Sequence, residues 1–402
     1  MAMQRMRLKL GVTVVMVNLF IFILIFRHSG QDKNGHHKVR IPSAPFWSKL
    51  TPPLAYWNRQ QQVVDIQNNP VLAANYSATD LRLTEDSLTS DPCTQNMGVT
   101  TQVKDYNSLP ERFKDFLHFM HCRSYPIVLD QPDICEEPPF LLLAIKSQVS
   151  HFDRRQAIRQ SWGRAGVIGN QTVVTVFLLG NATAWDHHPD LSFSLRDESL
   201  RHQDIIQWDF RDSFFNLTVK EVLFLEWIQT RCPGARFIFK GDDDVFVNTY
   251  RILDFLKGLT EPKARDLFVG DVITEAGPHR DKKVKYFIPE SLYTGKYPPY
   301  AGGGGYFYSG EVAARLHSVS RRVLLFPIDD VYTGMCLKKL GLGPERHKGF
   351  RTFDIEAKYR SNPCAYNSLI LVHPRTPQQI IQIWAWLNNS RGTRFLISVG
   401  FC

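Results

Sequence analysis

The stretch Arg236-Phe-Ile-Phe-Lys-Gly-Asp-Asp-Asp-Val-Phe-Val-Asn248 decides the fold class. Phe237 to Phe239 is an apolar run short enough for a buried strand, and three consecutive carboxylates, Asp242 to Asp244, follow it. Open α/β sheets bind ligands at the carboxyl ends of their strands. Because three adjacent like charges repel one another, the pattern predicts a strand that ends at a cation or ligand site. A solvated acidic turn is the alternative.

Other segments extend this pattern into an α/β domain that begins at about residue 105. The apolar runs Pro139 to Ile145 and Val173 to Leu179 predict buried strands, and Ser150 to Trp162 between them has helical spacing, which gives a βαβ opening. Three further elements are predicted downstream: a strand over Asp204 to Phe210, an amphipathic helix over Val219 to Thr230 and a strand over Leu267 to Val272.

The N-terminus predicts a membrane anchor. Arg5, Arg7 and Lys9 precede residues 10–26, which carry no charge. A cleaved signal peptide is the alternative, but no small-x-small cleavage pattern follows the apolar run. The upstream positive charges place the N-terminus in the cytoplasm. We therefore expect a cytoplasmic tail at 1–9, a signal-anchor at 10–26, a luminal stem at 27–90 and a luminal catalytic domain at 91–402.

Composition excludes several classes of protein. The chain has 402 residues, of which 44% are hydrophobic and 22% charged, so it is neither disordered nor a polytopic membrane protein. A formal charge of +9 favours an anionic partner. A nucleic-acid partner is not expected, because the sequence shows neither a long basic stripe nor a recognisable nucleic-acid-binding module.

Glycosylation acceptors and cysteines agree with a luminal body. Five N-x-S/T triplets follow the predicted anchor, at Asn75, Asn170, Asn181, Asn216 and Asn388. Most cysteines should pair in an oxidising lumen. The odd number, seven, leaves at least one cysteine without an intrachain partner.

Two more motifs carry candidate chemistry. Asp329 and Asp330 follow an apolar stretch and lead into a predicted helix over Thr333 to Leu340. These carboxylates could cap that helix, and one of them could also take a proton from an attacking hydroxyl. The run from Tyr300 to Tyr306 holds four glycines between aromatic residues, which favours close approach of the backbone to a flat ligand over a flexible linker.

The acidic run predicts a bound hard divalent cation whose remaining coordination positions are filled by diphosphate oxygens and water. His373 ends the apolar run that starts at Leu369 and is a candidate nitrogen ligand for that cation. Lys146, Arg154, Arg155 and Arg159 cluster on the first βα unit. They form either a solvated basic face or a site for a diphosphate.

Four ordered motifs together resemble the β-1,3-glycosyltransferases of the Golgi. They are RRQAIRQSWG at 154–163, FKGDDDVFVN at 239–248, YPPYAGGGG at 297–305 and PIDDVYTG at 327–334. The resemblance covers about residues 105–385. Within that family the chain is most similar to the polylactosamine-extending N-acetyllactosaminide β-1,3-N-acetylglucosaminyltransferases, including stem residues 46–47 and 51–58. The tail at 391–402 departs from the pattern.

The resemblance implies a GT-A fold, an open and mostly parallel sheet flanked by helices, and it implies roles for individual residues. Asp244 and His373 would hold Mn²⁺ or Mg²⁺. Asp330 would be the general base, with Asp329 as the second choice in an orienting role. The residues implied on the donor side are Asp242 and Asp243 for uridine and sugar, Lys146, Arg155 and Arg159 for the nucleotide, and Gly303 and Gly304 for the sugar.

The implied reaction is the inverting transfer of GlcNAc from UDP-GlcNAc to O3 of a terminal β-galactose, which extends polylactosamine on glycoproteins or glycolipids. The expected partners are the UDP-sugar, galactose-terminated glycans and the Golgi membrane, which the chain crosses once. Homo- or hetero-oligomers with other Golgi glycosyltransferases are also compatible with the layout. Two alternatives stay open: a β-1,3-galactosyltransferase, or a Golgi lectin or assembly partner without turnover.

Overall fold

The computed structural model describes residues 53–69, 93–182 and 190–393, and the elements below belong to this part of the chain. Its α-helices, numbered in chain order, are α1 (Tyr56–Gln67), α2 (Val99–Gln102), α3 (Glu111–Phe119), α4 (Phe152–Arg159), α5 (Ser192–His202), α6 (Leu217–Arg231), α7 (Thr249–Lys257), α8 (Glu261–Arg265), α9 (Gly310–Ser320), α10 (Asp329–Lys339) and α11 (Pro377–Thr393). Short 3-10 turns lie at Tyr106–Ser108, Phe214–Asn216, Ala357–Tyr359 and Pro363–Tyr366.

The strands of the described part form one large sheet and two small ones. They are β1 (Ile127–Leu129), β2 (Leu141–Lys146), β3 (Gly166–Ile168), β4 (Gln171–Asn181), β5 (Ile205–Arg211), β6 (Phe237–Asp242), β7 (Phe246–Val247), β8 (Phe268–Gly270), β9 (Val272–Ile273), β10 (Tyr300–Ala301), β11 (Gly305–Ser309), β12 (Glu345–Arg346), β13 (Phe350–Arg351) and β14 (Leu371–Val372). The strands and helices predicted from apolar periodicity are present, with ends that differ by a few residues, except at Leu267 to Val272. The single strand predicted there is divided into β8 and β9, which lie in different sheets.

The large sheet has the strand order β1-β5-β4-β2-β6-β11-β8-β12, and β3 pairs with β4. Its centre, β5-β4-β2-β6, is parallel. β11 is antiparallel to both of its neighbours, and β1 is antiparallel to β5. A mostly parallel sheet was expected, and the observed sheet has a parallel centre with antiparallel pairs on both sides.

Apolar cores cover both faces of this sheet. All six residues of β2 are buried. Leu142 and Ala144 enter one core with residues of α6, α9 and α10, whereas Leu141, Leu143 and Ile145 enter the other core with residues of α4, α7 and α11. Alternate residues of a strand point to opposite faces, so an unbroken apolar run suits a strand that is buried on both sides.

Helix α6 differs from its prediction. An amphipathic helix was expected, but every residue from Thr218 to Leu225 is buried. The two charged residues among them, Lys220 and Glu221, are buried because they have charged partners. Lys220 Nζ lies 2.8 Å from Asp212 Oδ2 and donates a hydrogen bond to the Ser147 carbonyl at 2.7 Å, and Glu221 contacts Lys240. A polar residue in a helical pattern therefore did not mark a solvent-facing side.

The sheet brings the predicted motifs to one edge. Lys146 at the end of β2 and Asp242 at the end of β6 are partners in the parallel register. β11 starts at Gly305, opposite Gly241, so the glycine run that precedes it lies beside the acidic turn. Helix α10 starts at Asp329 and packs beside β10.

Part of the predicted stem is helical and packs on the domain. Tyr56 and Trp57 at the start of α1 are buried, and Trp57 Nε1 donates a hydrogen bond to the Leu325 carbonyl at 3.1 Å. None of the helices in the described part is long and apolar enough to cross a membrane. The predicted anchor at 10–26 lies outside the described residues.

Two disulfides join Cys93 to Cys122 and Cys135 to Cys232, and Cys364 is also disulfide-bonded. These bonds confirm that most cysteines pair. Cys336 is a buried free thiol.

Candidate active site

The acidic turn after β6 and the start of α10 meet at one buried lysine. Lys146 Nζ lies 2.8 Å from Asp242 Oδ1 and 2.7 Å from Asp329 Oδ2. The burial of Lys146 opposes its charge, but the carboxylates of Asp242 and Asp329 outweigh that effect and raise the pKa of Lys146 well above its ordinary value. The two predicted acidic motifs therefore share one cleft, with a permanent cation between them.

Asp243 is buried behind this cleft and has several partners. Its Oδ2 lies 2.7 Å from Ser147 Oγ and 2.8 Å from His151 Nδ1, and its Oδ1 lies 2.8 Å from an Arg154 guanidinium nitrogen. Burial alone would raise the pKa of Asp243, but the hydrogen bonds from His151 and Ser147 and the charge of Arg154 lower it. Asp243 therefore anchors the loop after β2 as an ionised carboxylate.

Asp329 and Asp330 occupy the first turn of α10, where the helix dipole favours negative charge. Burial raises the pKa of both carboxyls, but Asp329 also contacts Lys146, and that ammonium together with Lys240 lowers its pKa. Asp330 lacks such a close partner. Burial, followed by the charge of Asp329, raises the pKa of Asp330 well above its ordinary value. Two neighbouring carboxyls with opposite shifts suit different roles in one reaction.

The glycine run lies against both halves of the site. A Cβ atom at Gly303 would lie 2.5 Å from Asp330 Oδ2. A Cβ atom at Gly304 would lie 3.1 Å from His373 Cβ, a tight contact. The glycine run therefore forms one wall of the cleft, and there is no space for a side chain at Gly303. The run lies next to Asp330 at Gly303 and next to His373 at Gly304.

Asp244 and His373 face each other with 3.6 Å between Oδ1 and Nε2. The other ring nitrogen of His373, Nδ1, lies 2.8 Å from the Thr352 carbonyl, which directs Nε2 toward the aspartate. Asp244 Oδ1 is buried and has no hydrogen-bond partner among the described residues. In that part of the chain no three histidine, cysteine or acidic residues form a metal-binding group. The carboxylate of Asp244 and the Nε2 of His373 fit a cation that takes two protein ligands and shares the rest with a diphosphate.

Arg155 and Arg159 do not reach the cleft. Arg155 is fully buried and forms a bidentate pair with Glu198, at 2.9 and 2.6 Å. Arg159 lies 2.6 Å from Glu198 and 2.7 Å from Asp204. Of the four basic residues on the first βα unit, only Lys146 and Arg154 contact the acidic run from Asp242 to Asp244. Arg155 and Arg159 instead hold helix α5 and the start of β5 against α4.

Several residues of the site were not singled out from the sequence. Lys240 lies inside the recognised motif, is buried, contacts Glu221 and lies 4.0 Å from Asp329 Oδ2. Burial and the neighbouring Lys146 lower the pKa of Lys240. A lysine in the middle of an apolar strand was the available signal. For Ser147 and His151, the only signal in the sequence was their position in the loop that follows β2.

Two tyrosines border the cleft beside the second acidic motif. Burial raises the pKa of Tyr286, and the nearby Asp330 raises it further. Burial and then Asp330 raise the pKa of Tyr300 to about 12. The Tyr286 ring packs edge-on against Phe214 at 5.3 Å and stays partly exposed. Aromatic faces of this kind can stack on sugar rings.

Comparison with known proteins bears on this arrangement. A family model described as Galactosyltransferase matches residues 153–348. The N-acetyllactosaminide beta-1,3-N-acetylglucosaminyltransferase 2 of Mus musculus is 56% identical over 393 residues, which cover 97% of this chain and 99% of the relative. The chain belongs to the β-1,3-N-acetylglucosaminyltransferase family.

Other members of the β-1,3-N-acetylglucosaminyltransferase family are also similar to this chain. The Homo sapiens protein named N-acetyllactosaminide beta-1,3-N-acetylglucosaminyltransferase 2 is 55% identical over 97% of this chain and 99% of its own length. The Homo sapiens N-acetyllactosaminide beta-1,3-N-acetylglucosaminyltransferase 4 is 49% identical over 70% of this chain and 74% of its own. Among solved structures, the apo WbbM bifunctional glycosyltransferase has a TM-score of 0.34 and 12% identity over 61% of this chain and 50% of that chain, a likeness too slight to argue from.

Proposed function

We propose that this protein transfers GlcNAc from UDP-GlcNAc to O3 of the terminal β-galactose of N-acetyllactosamine with inversion, on a GT-A scaffold, and so extends polylactosamine. The observation that carries the proposal is the position of Asp330. This carboxylate has a raised pKa, lies at the start of α10 and shares a cleft with the acidic turn after β6. The names of the relatives supply the sugar and the acceptor class.

In the proposed reaction, Asp330 accepts the proton of the acceptor O3 hydroxyl. O3 attacks the anomeric carbon of the donor from the face opposite UDP, a bond forms between O3 and that carbon, and the bond between the anomeric carbon and the diphosphate oxygen breaks. UDP leaves with the bonding electrons, and the proton remains on Asp330. A single displacement converts the α-linked donor into a β-linked product. A raised pKa suits a general base, because a stronger base takes the proton more readily.

Mn²⁺ or Mg²⁺ would be held by Asp244 and His373. When bound, such a cation neutralises charge on the diphosphate and so makes UDP a better leaving group. The unpartnered Oδ1 of Asp244 and the Nε2 of His373, turned toward it by Thr352, support this assignment.

The donor side is formed by residues whose charges are already paired. Asp242 is assigned to the uridine and sugar, whereas Asp243, which was also expected to contact them, is assigned to fixing the loop after β2 behind the donor. Lys146 is buried between two carboxylates, so we assign it to holding Asp242 and Asp329 in place. Arg155 acts on the nucleotide side only through Ser147, whose hydroxyl accepts a hydrogen bond from it at 3.2 Å. Gly303 and Gly304 give the donor sugar access to the backbone.

We place the protein in the Golgi membrane with a single span at 10–26, a cytoplasmic tail at 1–9, a luminal stem at 27–90 and a luminal catalytic domain at 91–402. Two of the glycosylation acceptors, Asn170 and Asn388, are exposed, which suits a luminal body. Asn216 is buried and donates a hydrogen bond to the Arg211 carbonyl at 2.9 Å. Assembly with itself or with other Golgi glycosyltransferases is part of this proposal.

A donor and acceptor screen tests the proposed function. The full chain is incubated with UDP-GlcNAc or UDP-galactose and with acceptors that end in galactose or in GlcNAc, and the product linkage is determined. We expect GlcNAc linked β-1,3 to galactose. The second candidate is a β-1,3-galactosyltransferase, which the match to a family model described as Galactosyltransferase favours. Preferential transfer of galactose would establish it. Sugar binding without UDP release for any pair would instead indicate a lectin or assembly partner.

A further inference from the structure

Helix α1 lies outside the cleft, yet it contacts both chain segments that lead into it. Its first turn, from Tyr56 to Gln60, lies between residues 291–297, which precede the glycine run, and residues 322–326, which precede α10. The two segments approach each other in the cleft, where Gly303 leaves no space for a Cβ atom beside Asp330.

On one side, α1 fixes the segment before α10 through hydrogen bonds. Trp57 Nε1 donates to the Leu325 carbonyl at 3.1 Å. Gln61 binds the same segment twice: its Nε2 donates to the Arg322 carbonyl at 2.9 Å, and its Oε1 accepts from the Leu324 amide at 2.8 Å. A buried backbone group that loses its partner is costly, so these bonds hold the segment to α1.

On the other side, the start of α1 is hydrogen-bonded to the segment that precedes the glycine run. The backbone amides of Tyr56 and Trp57 donate to the carbonyls of Ser291 and Leu292 at 2.7 and 2.8 Å. The first amides of a helix lack partners within the helix, and here the 291–297 segment satisfies two of them. Asn58 continues this contact, since its Oδ1 accepts a hydrogen bond from the Thr294 amide at 2.9 Å.

An aromatic cluster joins the two contacts. The Trp57 ring packs edge-on against Tyr293 at 5.5 Å and against Phe326 at 5.7 Å. Tyr297 and Phe326, which come from the two different segments, also pack edge-on at 5.6 Å. Phe326 lies four residues before Asp330, and Tyr297 lies six residues before Gly303. A shift of Trp57 would therefore reach both walls of the cleft.

We infer that Trp57 and Gln61 are positioning residues for transfer, which set the location of the Asp330 carboxylate relative to the glycine run. This inference rests on the proposed function of the site. It means that a segment of the predicted stem belongs to the catalytic machinery and does more than hold the domain away from the membrane.

Two mild substitutions in the full chain test the inference. Trp57→Phe keeps a ring in the cluster but removes the hydrogen bond to Leu325, and Gln61→Ala removes both bonds to the 322–326 segment. We expect each to lower kcat by about tenfold, because small displacements of a catalytic group cost that much or more. The affinity for UDP should stay within about twofold, because the acidic turn after β6 does not contact α1. Gln62→Ala, the next position on the same helix, is the matched control and should keep the kcat of the original chain.

The outcomes separate this inference from the proposed function. An original chain that transfers no sugar overturns the proposed function and, with it, the positioning role. If the original chain transfers GlcNAc and both variants keep its kcat, the proposed function stands and the inference is wrong. A parallel fall of kcat, UDP affinity and melting temperature in both variants would show that α1 is only structural, which also overturns the inference.

Discussion

Lys146 and Asp329 lie 183 positions apart in the sequence and form a buried ion pair, with 2.7 Å between Nζ and Oδ2. The same ammonium contacts Asp242 at 2.8 Å. One cation therefore ties the acidic turn after β6 to the start of α10, and the cleft depends on it even before a ligand binds.

Replacing Lys146 by methionine should destabilise the fold. The change leaves Asp242 and Asp329 without their common partner, and loss of one member of a buried pair costs about 3–5 kcal/mol. Urea unfolding of the original protein and of Lys146→Met measures the difference in the free energy of unfolding. Lys296→Ala is the control, because its contact with Glu275 is largely exposed, and it should barely change the unfolding midpoint. Equal small changes for both variants would contradict a structural role for Lys146.

Asp330→Asn should abolish transfer and leave UDP binding nearly intact. Asparagine keeps the shape of the side chain but cannot accept the proton, and general base catalysis is worth about 10²–10⁴ in rate. Transfer assays and calorimetric titration with UDP give the two numbers. Equal loss of transfer and binding would point to a structural role for Asp330 instead.

The rate should depend on pH through the same carboxyl group. Only ionised Asp330 accepts a proton, and burial together with Asp329 raises the pKa of Asp330. The value of kcat should therefore be low below that pKa, rise with pH as Asp330 ionises, and then level off. Asp329→Asn removes the neighbouring negative charge, so it should move the rising limb to lower pH. A limb that stays in place, or moves to higher pH, would exclude Asp330 as the group observed.

Gly303→Ala should slow transfer because the new methyl group would lie 2.5 Å from Asp330 Oδ2 and displace it. We expect a loss of about tenfold or more in kcat with an unchanged melting temperature. Gly343→Ala is the matched control, since a Cβ atom there has open space. Similar kcat values for both variants would show that the wall formed by the glycine run is not in contact with the reacting groups.

If Asp244 and His373 hold the proposed cation, Asp244→Asn and His373→Ala should each reduce the gain in UDP affinity that we expect from Mn²⁺. The affinity for UDP is measured with Mn²⁺ and with EDTA for each chain. The original chain should bind UDP more tightly with the metal than in EDTA. In each variant this ratio of affinities should be about tenfold smaller. UDP affinity in EDTA should stay the same. A variant that keeps the full gain would remove its residue from the metal site.

The strands and the motifs of the cleft could be predicted because local patterns specify them. The apolar run of β2 requires burial on both faces, and the acidic run after β6 must lie at the edge where parallel strands end. These rules predict that Asp242 lies at a ligand-binding edge of the sheet, whereas the roles of Asp330 and His373 beside it were implied by the resemblance to the Golgi β-1,3-glycosyltransferases.

The charge partners could not be predicted, because they depend on side-chain packing between distant segments. Arg155 was expected on the nucleotide side, whereas Glu198, 43 positions away, holds it in the protein interior. In the same way, an amphipathic helix was predicted over Val219 to Thr230, but Glu221 of that helix is buried against Lys240. No spacing rule identifies such pairs.

The buried guanidinium of Arg155 has one more consequence. It donates hydrogen bonds to Ser147 Oγ and to the carbonyls of Gln148 and Val149, in addition to its pair with Glu198. These bonds already fix the loop that follows β2, and Ser147 in that loop binds Asp243. The loop is therefore preorganised for the proposed donor site, and its conformational entropy is lost during folding and not at the moment of binding.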